Sequence, residues 1–193
     1  MHIFAGKHKN KRIIAPKGDL TRPTSGRLRE TIFNICQGYI QDANFLDLFA
    51  GSGAVGLEAL SRGAANCTFV DDSRESLLSI KANLKALDEE KSSKVIFGDV
   101  FTVLRNLIKG GQKFGIIFAD PPYEKIGKNE EGRFSYSSKI LEIVDSSSLL
   151  VEGGYLFIED ARTFTPEVHV LSGLTFVSSR STGRSSLNQF KLK

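Results

Sequence analysis

The sequence predicts an α/β fold: a mostly parallel sheet with helices on both faces, an antiparallel C-terminal hairpin, and an N-terminal β-hairpin and helix added in front. Three observations carry this. Short apolar runs alternate with amphipathic helical segments from Asn44 to Ser146, the pattern of βαβ units. The run Phe114–Ala119 is nearly all apolar, as in a strand covered on both faces. The last two runs flank Thr182-Gly183-Arg184, a hairpin turn signal.

In chain order, His2–Ala5 and Arg12–Ala15 form two apolar arms around a basic loop, GKHKNK, and Pro16, Gly18 and Pro23 end them. A helix starts at Thr24 or Ser25, either of which can cap it. Leu28, Ile32, Ile35, Cys36 and Tyr39 recur on its inner face, with Arg27, Arg29 and Glu30 off that stripe. Phe45–Phe49 is the first strand of the core. Ala54–Ser61 is a helix stopped by Gly63. Cys67–Val70 is the second strand. Ser73 caps a helix that buries Leu77, Leu78, Ile80, Leu84 and Leu87. Lys94–Phe97 is the third strand, and helix Phe101–Ile108 ends at Gly110-Gly111. After the fourth strand comes a polar loop, Glu124–Phe134, and then helix Ser137–Ser146. Tyr155–Glu159 is a fifth strand after Gly153-Gly154, and Thr175–Ser181 and Ser186–Lys191 are the terminal pair.

Composition narrows the class. The 193 residues are 40% hydrophobic and 25% charged, ordinary for one globular domain. No run of about 18 apolar residues marks a membrane span, and MHIFAGKHKNKR lacks the apolar region of a secretory signal. Cys36 and Cys67 are far apart, so neither a disulfide framework nor a zinc site is expected, and no metal is assigned. The expected location is cytoplasmic. The net charge of +4 is unevenly spread: residues 1–30 carry +6 and the remaining 163 residues −2. A basic head on a near-neutral body points to a polyanion partner.

In such sheets ligands bind beyond the carboxyl ends of the strands. Here every one of the first four strand ends carries an acid: Asp47, then Asp71-Asp72, then Asp99, then Asp120. The turn after the first strand, Phe49-Ala50-Gly51-Ser52-Gly53-x-x-Gly56, is a literal GxGxxG with Asp71 placed 20 residues after Gly51. That spacing also fits a dinucleotide site. Asp47 argues otherwise, because a pyrophosphate gains nothing from a carboxylate there. S-adenosylmethionine, with its ammonium, sulfonium, ribose hydroxyls and adenine amine, gains from each acid. Asp47 then lies near its amino-acid end. Gly51 and Gly53 admit close backbone approach, Asp71 or Asp72 accepts from the ribose, and Asp99 beside Val100 accepts from the adenine amine. In Asp120-Pro121-Pro122-Tyr123 the prolines make a stiff corner. The Asp120 carboxylate and the Pro121 carbonyl converge on one exocyclic amine while Tyr123 stacks on its base.

These segments, DLFAGSGAVGLEALSRGA, FVDDSR, GDVF and DPPY, resemble the DPPY/NPPY amino-methyltransferases that use S-adenosylmethionine. Arg22-Pro23-Thr24, RLRETIFN from Arg27 and the Ile3-Phe4-Ala5-Gly6 head narrow the resemblance to the bacterial 16S rRNA guanine-N2 methyltransferases of the small single-domain type. It implies a Rossmann-like methyltransferase fold with a seven-stranded sheet, S-adenosylmethionine as cofactor, and methylation of the 2-amino group of a guanine in 16S rRNA or the assembling small subunit, by a monomer. It implies catalytic Asp120, Pro121, Pro122 and Tyr123, and donor contacts at Asp47, Phe49–Gly53, Asp71, Asp72, Asp99 and Val100. RNA contacts are expected at Lys7, Lys9, Lys11, Arg12, Arg22, Thr24, Arg27 and Arg29. Residues 1–40 read as a basic extension and 41–193 as the catalytic core of one domain. The sequence departs from the family in ending its second strand on Asp71, where relatives more often have Glu, and in the charged segment KIGKNEEGRF. It also has Thr182-Gly183 where relatives often have Tyr-Gly. A DNA adenine-N6 methyltransferase shares DPPY but usually adds a recognition domain. A nicotinamide oxidoreductase leaves Asp47 and DPPY unexplained, and a non-catalytic RNA-binding module leaves Asp120 without a purpose.

Overall fold

The structure, a computed structural model, describes residues 1–16, 26–122, 126–129 and 132–193. Nine strands and five α-helices follow in order: α1 (Gly26–Cys36), β1 (Asn44–Leu48), α2 (Ala54–Ser61), β2 (Asn66–Asp71), α3 (Arg74–Leu87), β3 (Ser93–Phe97), α4 (Val100–Lys109), β4 (Phe114–Ala119), β5 (Ile126–Asn129), β6 (Gly132–Ser135), α5 (Tyr136–Asp145), β7 (Leu150–Ala161), β8 (Leu174–Thr182) and β9 (Ser185–Leu192) among the described residues. Seven strands form one sheet in the order β3-β2-β1-β4-β7-β9-β8. The first five of these run parallel, and β9 runs opposite to them, antiparallel to both β7 and β8. The fold is the seven-stranded, mostly parallel one expected.

Each face of the sheet has its own core. On one, Phe45, Phe69, Ile116 and Phe157 pack with α1, α2 and α3. On the other, Leu46, Leu48, Ile117 and Ile158 pack with α4 and α5. Strand order reverses between β1 and β4: the chain steps outward one way through β2 and β3, and the other way through β7. That reversal opens a crevice beyond the ends of β1 and β4.

Local chemistry sets the element ends. Ser73 Oγ accepts the amide of Ser76 and Asp99 Oδ1 the amide of Thr102, so a side-chain oxygen caps α3 and α4 at their N-termini. In β7 the Gly153-Gly154 pair is a bulge inside a twelve-residue strand, so the strand begins at Leu150, not at Tyr155. Gly153 sits at φ 70°, where glycine alone is unstrained. The segment read as a polar loop holds a two-stranded ribbon, β5 with β6. A ribbon outside the main sheet needs no apolar face, so its polar composition hides it. Leu78, expected inside α3, is 69% exposed, because the inner face turns through Ser76, Ser79 and Asn83.

The arms and loop of the N-terminal extension, residues 1–16, are docked on the core. One bridge, His2 with Arg12, ties its arms, and Ile3 and Ile13 enter the same core as Leu57 and Phe69. Glu58, fully buried in α2, fastens it: its carboxylate accepts the amides of Phe4 and Ala5 at 2.9 and 3.0 Å and Arg62 Nε at 2.8 Å. Arg29 Nη1 lies 3.7 Å from the same carboxylate and donates to His2 O. Arg29 is therefore interior, 2% exposed, which corrects its expected place facing RNA. Removing Glu58 as Ala would strand this buried guanidinium and two amides. Urea unfolding should register a loss of about 3–5 kcal/mol, and a loss below about 1 kcal/mol would mean that the clamp is dispensable.

Candidate functional site

The crevice is built on the turn from β1 into α2. Phe49, Gly51 and Gly53 take left-handed φ values of 58°, 55° and 76°. Three such residues within five curl the backbone tightly, and for Phe49 the conformation is strained. Neighbours hold the curl in place. Ala50 donates to Val70 O at 3.0 Å and Gly53 to Ala50 O at 2.7 Å. The Phe49 ring packs on Tyr136, which in turn meets Phe101.

Two carboxylates fasten the curl by its amides. Asp47 Oδ2 accepts Gly56 N–H at 2.9 Å from inside the protein. Asp71 Oδ2 accepts Gly51 N–H at 2.8 Å, and its Oδ1 accepts Ser73 N–H at 2.9 Å. Asp71, a methylene shorter than Glu, is thereby drawn back onto the turn. Each of its oxygens keeps a second lone pair for a ligand hydroxyl. Asp47 is 1% exposed. Burial pushes its carboxyl up to about 8, opposed by the Gly56 hydrogen bond and reinforced by nearby Asp71. A third fastening is Asn83 on α3, 1% exposed, whose Nδ2 donates to Ser52 O and Ile14 O while Oδ1 accepts Ile14 N–H. The glycine turn and the N-terminal extension are thus held by one side chain.

The remaining expected residues take varied places. Asp72 is exposed at the end of β2. Asp99 is exposed, and its Oδ1 is engaged by the Thr102 amide and hydroxyl, both at 2.9 Å; Val100 is buried behind it. Asp120 follows β4, and its amide reaches Leu48 O at 3.4 Å, so it stands at the reversal point beside the β1 turn. Pro121 is buried and Pro122 exposed. Tyr123, Arg22 and Thr24 lie outside the described residues. Arg12 and Arg27 are exposed.

The basic loop is not at this crevice. Lys7 N–H donates to Ser61 O, at the C-terminus of α2, and Lys7 Nζ pairs with buried Glu89 at 2.7 Å. Helix α2 runs away from the crevice, so Lys7, Lys9 and Lys11 sit at the amino-terminal end of the sheet. Among the described residues of the extension, Met1 meets Ser52 of the glycine turn and Ile14 is joined to it through Asn83.

The sequence reading missed Glu58, Asn83 and Glu89. The first two have a signal: a polar residue at an inward position of an amphipathic helix. Glu159 and Asp160, buried at the end of β7, extend the row of acids; Ile158 before them pairs with Ala119, next to Asp120.

The arrangement tests well against a cationic, hydroxyl-bearing ligand. A Cβ on Gly51 would meet nothing within 4 Å, so the turn faces open space there. Among the described residues no group of three or more His, Cys, Asp or Glu could hold a metal ion. No helix among the described residues is long and apolar enough to cross a membrane.

Known proteins resemble this chain in sequence and fold. The family model described as conserved hypothetical protein 95 matches residues 1–191. The candidate rRNA methyltransferase YlbH of Bacillus subtilis is 35% identical over 162 residues, covering 84% of this chain and 83% of that one. Ribosomal RNA small subunit methyltransferase D of Escherichia coli is 31% identical over 159 residues, covering 82% and 74%. The solved structure of yhhF, a candidate methyltransferase from Escherichia coli, superposes with a TM-score of 0.80 at 25% identity, covering 100% of this chain and 98% of that one.

Asp47 gives a pH test. Its folded value, about 8, stands above its ordinary 3.8, so folding takes up a proton between those limits. Its contribution is full below about pH 4, falls as pH rises and levels off above about pH 8. Unfolding of the wild type and Asp47→Asn across pH 4–9 should show the wild type losing stability relative to the variant over this window. Parallel curves would mean that Asp47 is ionised in the native protein.

Proposed function

The chain belongs to the conserved hypothetical protein 95 family, together with the small-subunit rRNA methyltransferase D proteins, and on that premise we propose that it is an S-adenosylmethionine-dependent rRNA methyltransferase. Its substrate is small-subunit (16S) rRNA, free or in the assembling particle, and the acceptor is the exocyclic 2-amino group of a guanine. One observation carries the reading: the only strand end with the Asp-Pro-Pro corner stands at the reversal point beside the open glycine turn. Donor and acceptor sites are then neighbours.

Each residue has a task. The turn at Phe49–Gly53 bounds the donor pocket, and the backbone around Gly51 admits close approach. Asp71, with Asp72 at its side, accepts from the ribose hydroxyls, and the remaining acceptor capacity of Asp99 serves the adenine amine. Asp47 acts one layer behind, by fixing the turn through Gly56. When bound, the donor supplies an activated methyl group on a sulfonium. The Asp120 carboxylate and the Pro121 carbonyl hold the two N–H groups of the acceptor amine, turning its lone pair out of conjugation. Asp120 or water accepts the proton released on transfer. Positioning supplies most of the acceleration. Tyr123 stacks on the base, which must leave its helix or be unpaired to enter.

The exposed cations Lys9, Lys11, Arg12 and Arg27, with Lys7, Arg22 and Thr24, contact RNA backbone; Arg29 is not among them. Residues 1–40 serve as this extension and 41–193 as the catalytic core of one domain, acting as a cytoplasmic monomer.

Labelled donor with unmethylated small-subunit rRNA should give one methylated nucleotide, mapped by mass spectrometry as N2-methylguanine. Asp120→Ala should reduce transfer by at least about a hundredfold, the scale of a lost general base, while calorimetry finds S-adenosylhomocysteine bound as before. A fully active variant would sink the role of Asp120, and a different methylated atom would reject guanine-N2 transfer. Asp71→Ala should weaken the binding of S-adenosylhomocysteine; unchanged affinity would move ribose recognition to Asp72.

A further inference from the structure

A groove of about 350 Å³ crosses the amino-terminal end of the sheet. It is lined by Lys91, Lys94 and Lys113, with Asn44, Asn66 and Gln112 among the neutral donors between them. Among the described residues that line it, none is acidic. All three lysines are exposed. The groove adjoins the basic loop of the extension, because Glu89, which pairs with Lys7, lies two residues before Lys91. Nearby exposed acids are Asp42, Asp88 and Glu90, fewer than the six lysines of loop and groove together.

From this geometry we infer that the amino-terminal end of the sheet is a second docking surface for RNA phosphates, separate from the crevice. The inference rests on the rRNA methyltransferase reading and specifies the substrate further. Amide side chains interleaved with cations suit phosphate and sugar oxygens, which position a nucleic acid without reading its sequence. The two ends are separated by the whole length of the strands, about 13 Å along β1 alone. The path between them is longer than this, because helices cover both faces of the sheet and an RNA must pass around them. A large folded RNA, or a ribonucleoprotein particle, engages both ends. The substrate class is therefore an extended rRNA domain.

There is a rival use for these lysines. Helices α2, α3 and α4 point their C-termini at this end, and cations offset the partial negative charge there. That use predicts an effect on stability and none on RNA.

The test compares the wild type with Lys91→Gln/Lys94→Gln/Lys113→Gln on two RNAs: full-length unmethylated small-subunit rRNA, and a short hairpin carrying the methylated nucleotide. Affinity is measured over a range of salt, with S-adenosylhomocysteine calorimetry reporting an intact fold. The variant should bind the long RNA at least tenfold more weakly, with the log–log salt slope flattened by about 2. Hairpin and S-adenosylhomocysteine affinities should not change. An unaltered slope on the long RNA, or an equal loss on both RNAs, overturns the second surface. If the triple variant loses its fold, Lys94→Gln and Lys113→Gln singly carry the same comparison. A wild type that binds no S-adenosylhomocysteine would instead reject the methyltransferase reading itself, a result distinguishable from failure of the groove.

Discussion

The site depends on how the backbone amides between Phe49 and Gly56 are satisfied. A chain that leaves a buried strand, curls through three left-handed residues and enters a helix exposes donors that no regular ladder can accept. Asp47 takes Gly56 and Asp71 takes Gly51, and Asn83 takes the carbonyl of Ser52 between them. Left unpaired in this buried setting, each group would cost on the order of 1–3 kcal/mol. The two carboxylates pull from β1 and β2, and the amide from α3, so the turn is fixed from three elements. It stays open at Gly51, where a Cβ would meet nothing within 4 Å.

The same fastening explains how a carboxyl as deeply buried as Asp47 survives. It is small, it is hydrogen-bonded, and burial raises its carboxyl far above the ordinary range, which favours the neutral form. Asp71 differs although it touches the same turn. It stands at the rim, 8% exposed, and accepts two amides. One acid holds the turn from inside the protein, and the other holds it from the rim. The position of Asn83 adds a consequence: the arm that leads from Ile14 toward Arg22-Pro23-Thr24 is tied to the residue between the two glycines.

Much of this was legible because local rules and tertiary context agreed. Helix Ala54–Ser61 and strand Phe114–Ala119 fall where the sequence puts them; one lies between glycines, and the other is apolar on both faces. The acids at the strand ends were visible as residues, but not their partners, since Asp47 meets Gly56 only after the chain has curled. Arg29 reads as a surface cation by its type. Its burial needs Glu58, 29 residues later, and the extension folded over both. Two hydrophobic arms around lysines predict a hairpin, but no local pattern says which way it lies along α2. That direction separates Lys7–Lys11 from the crevice. The β5–β6 ribbon, IGKN and GRFS, shows no alternation of apolar and polar residues for a period to mark.

The division of charge between the two ends follows from the fold. In a parallel βαβ sheet the helices run opposite to the strands, so helix N-termini gather at the crevice and C-termini at the far end. Partial positive charge at the crevice stabilises ionised acids there, and two helices draw on it directly: Asp99 caps α4, and Ser73, held by Asp71, caps α3. At the far end the partial negative charge draws lysines to surface positions. The +4 of the whole chain is the residue of that separation, with acids at one end of the sheet and lysines at the other.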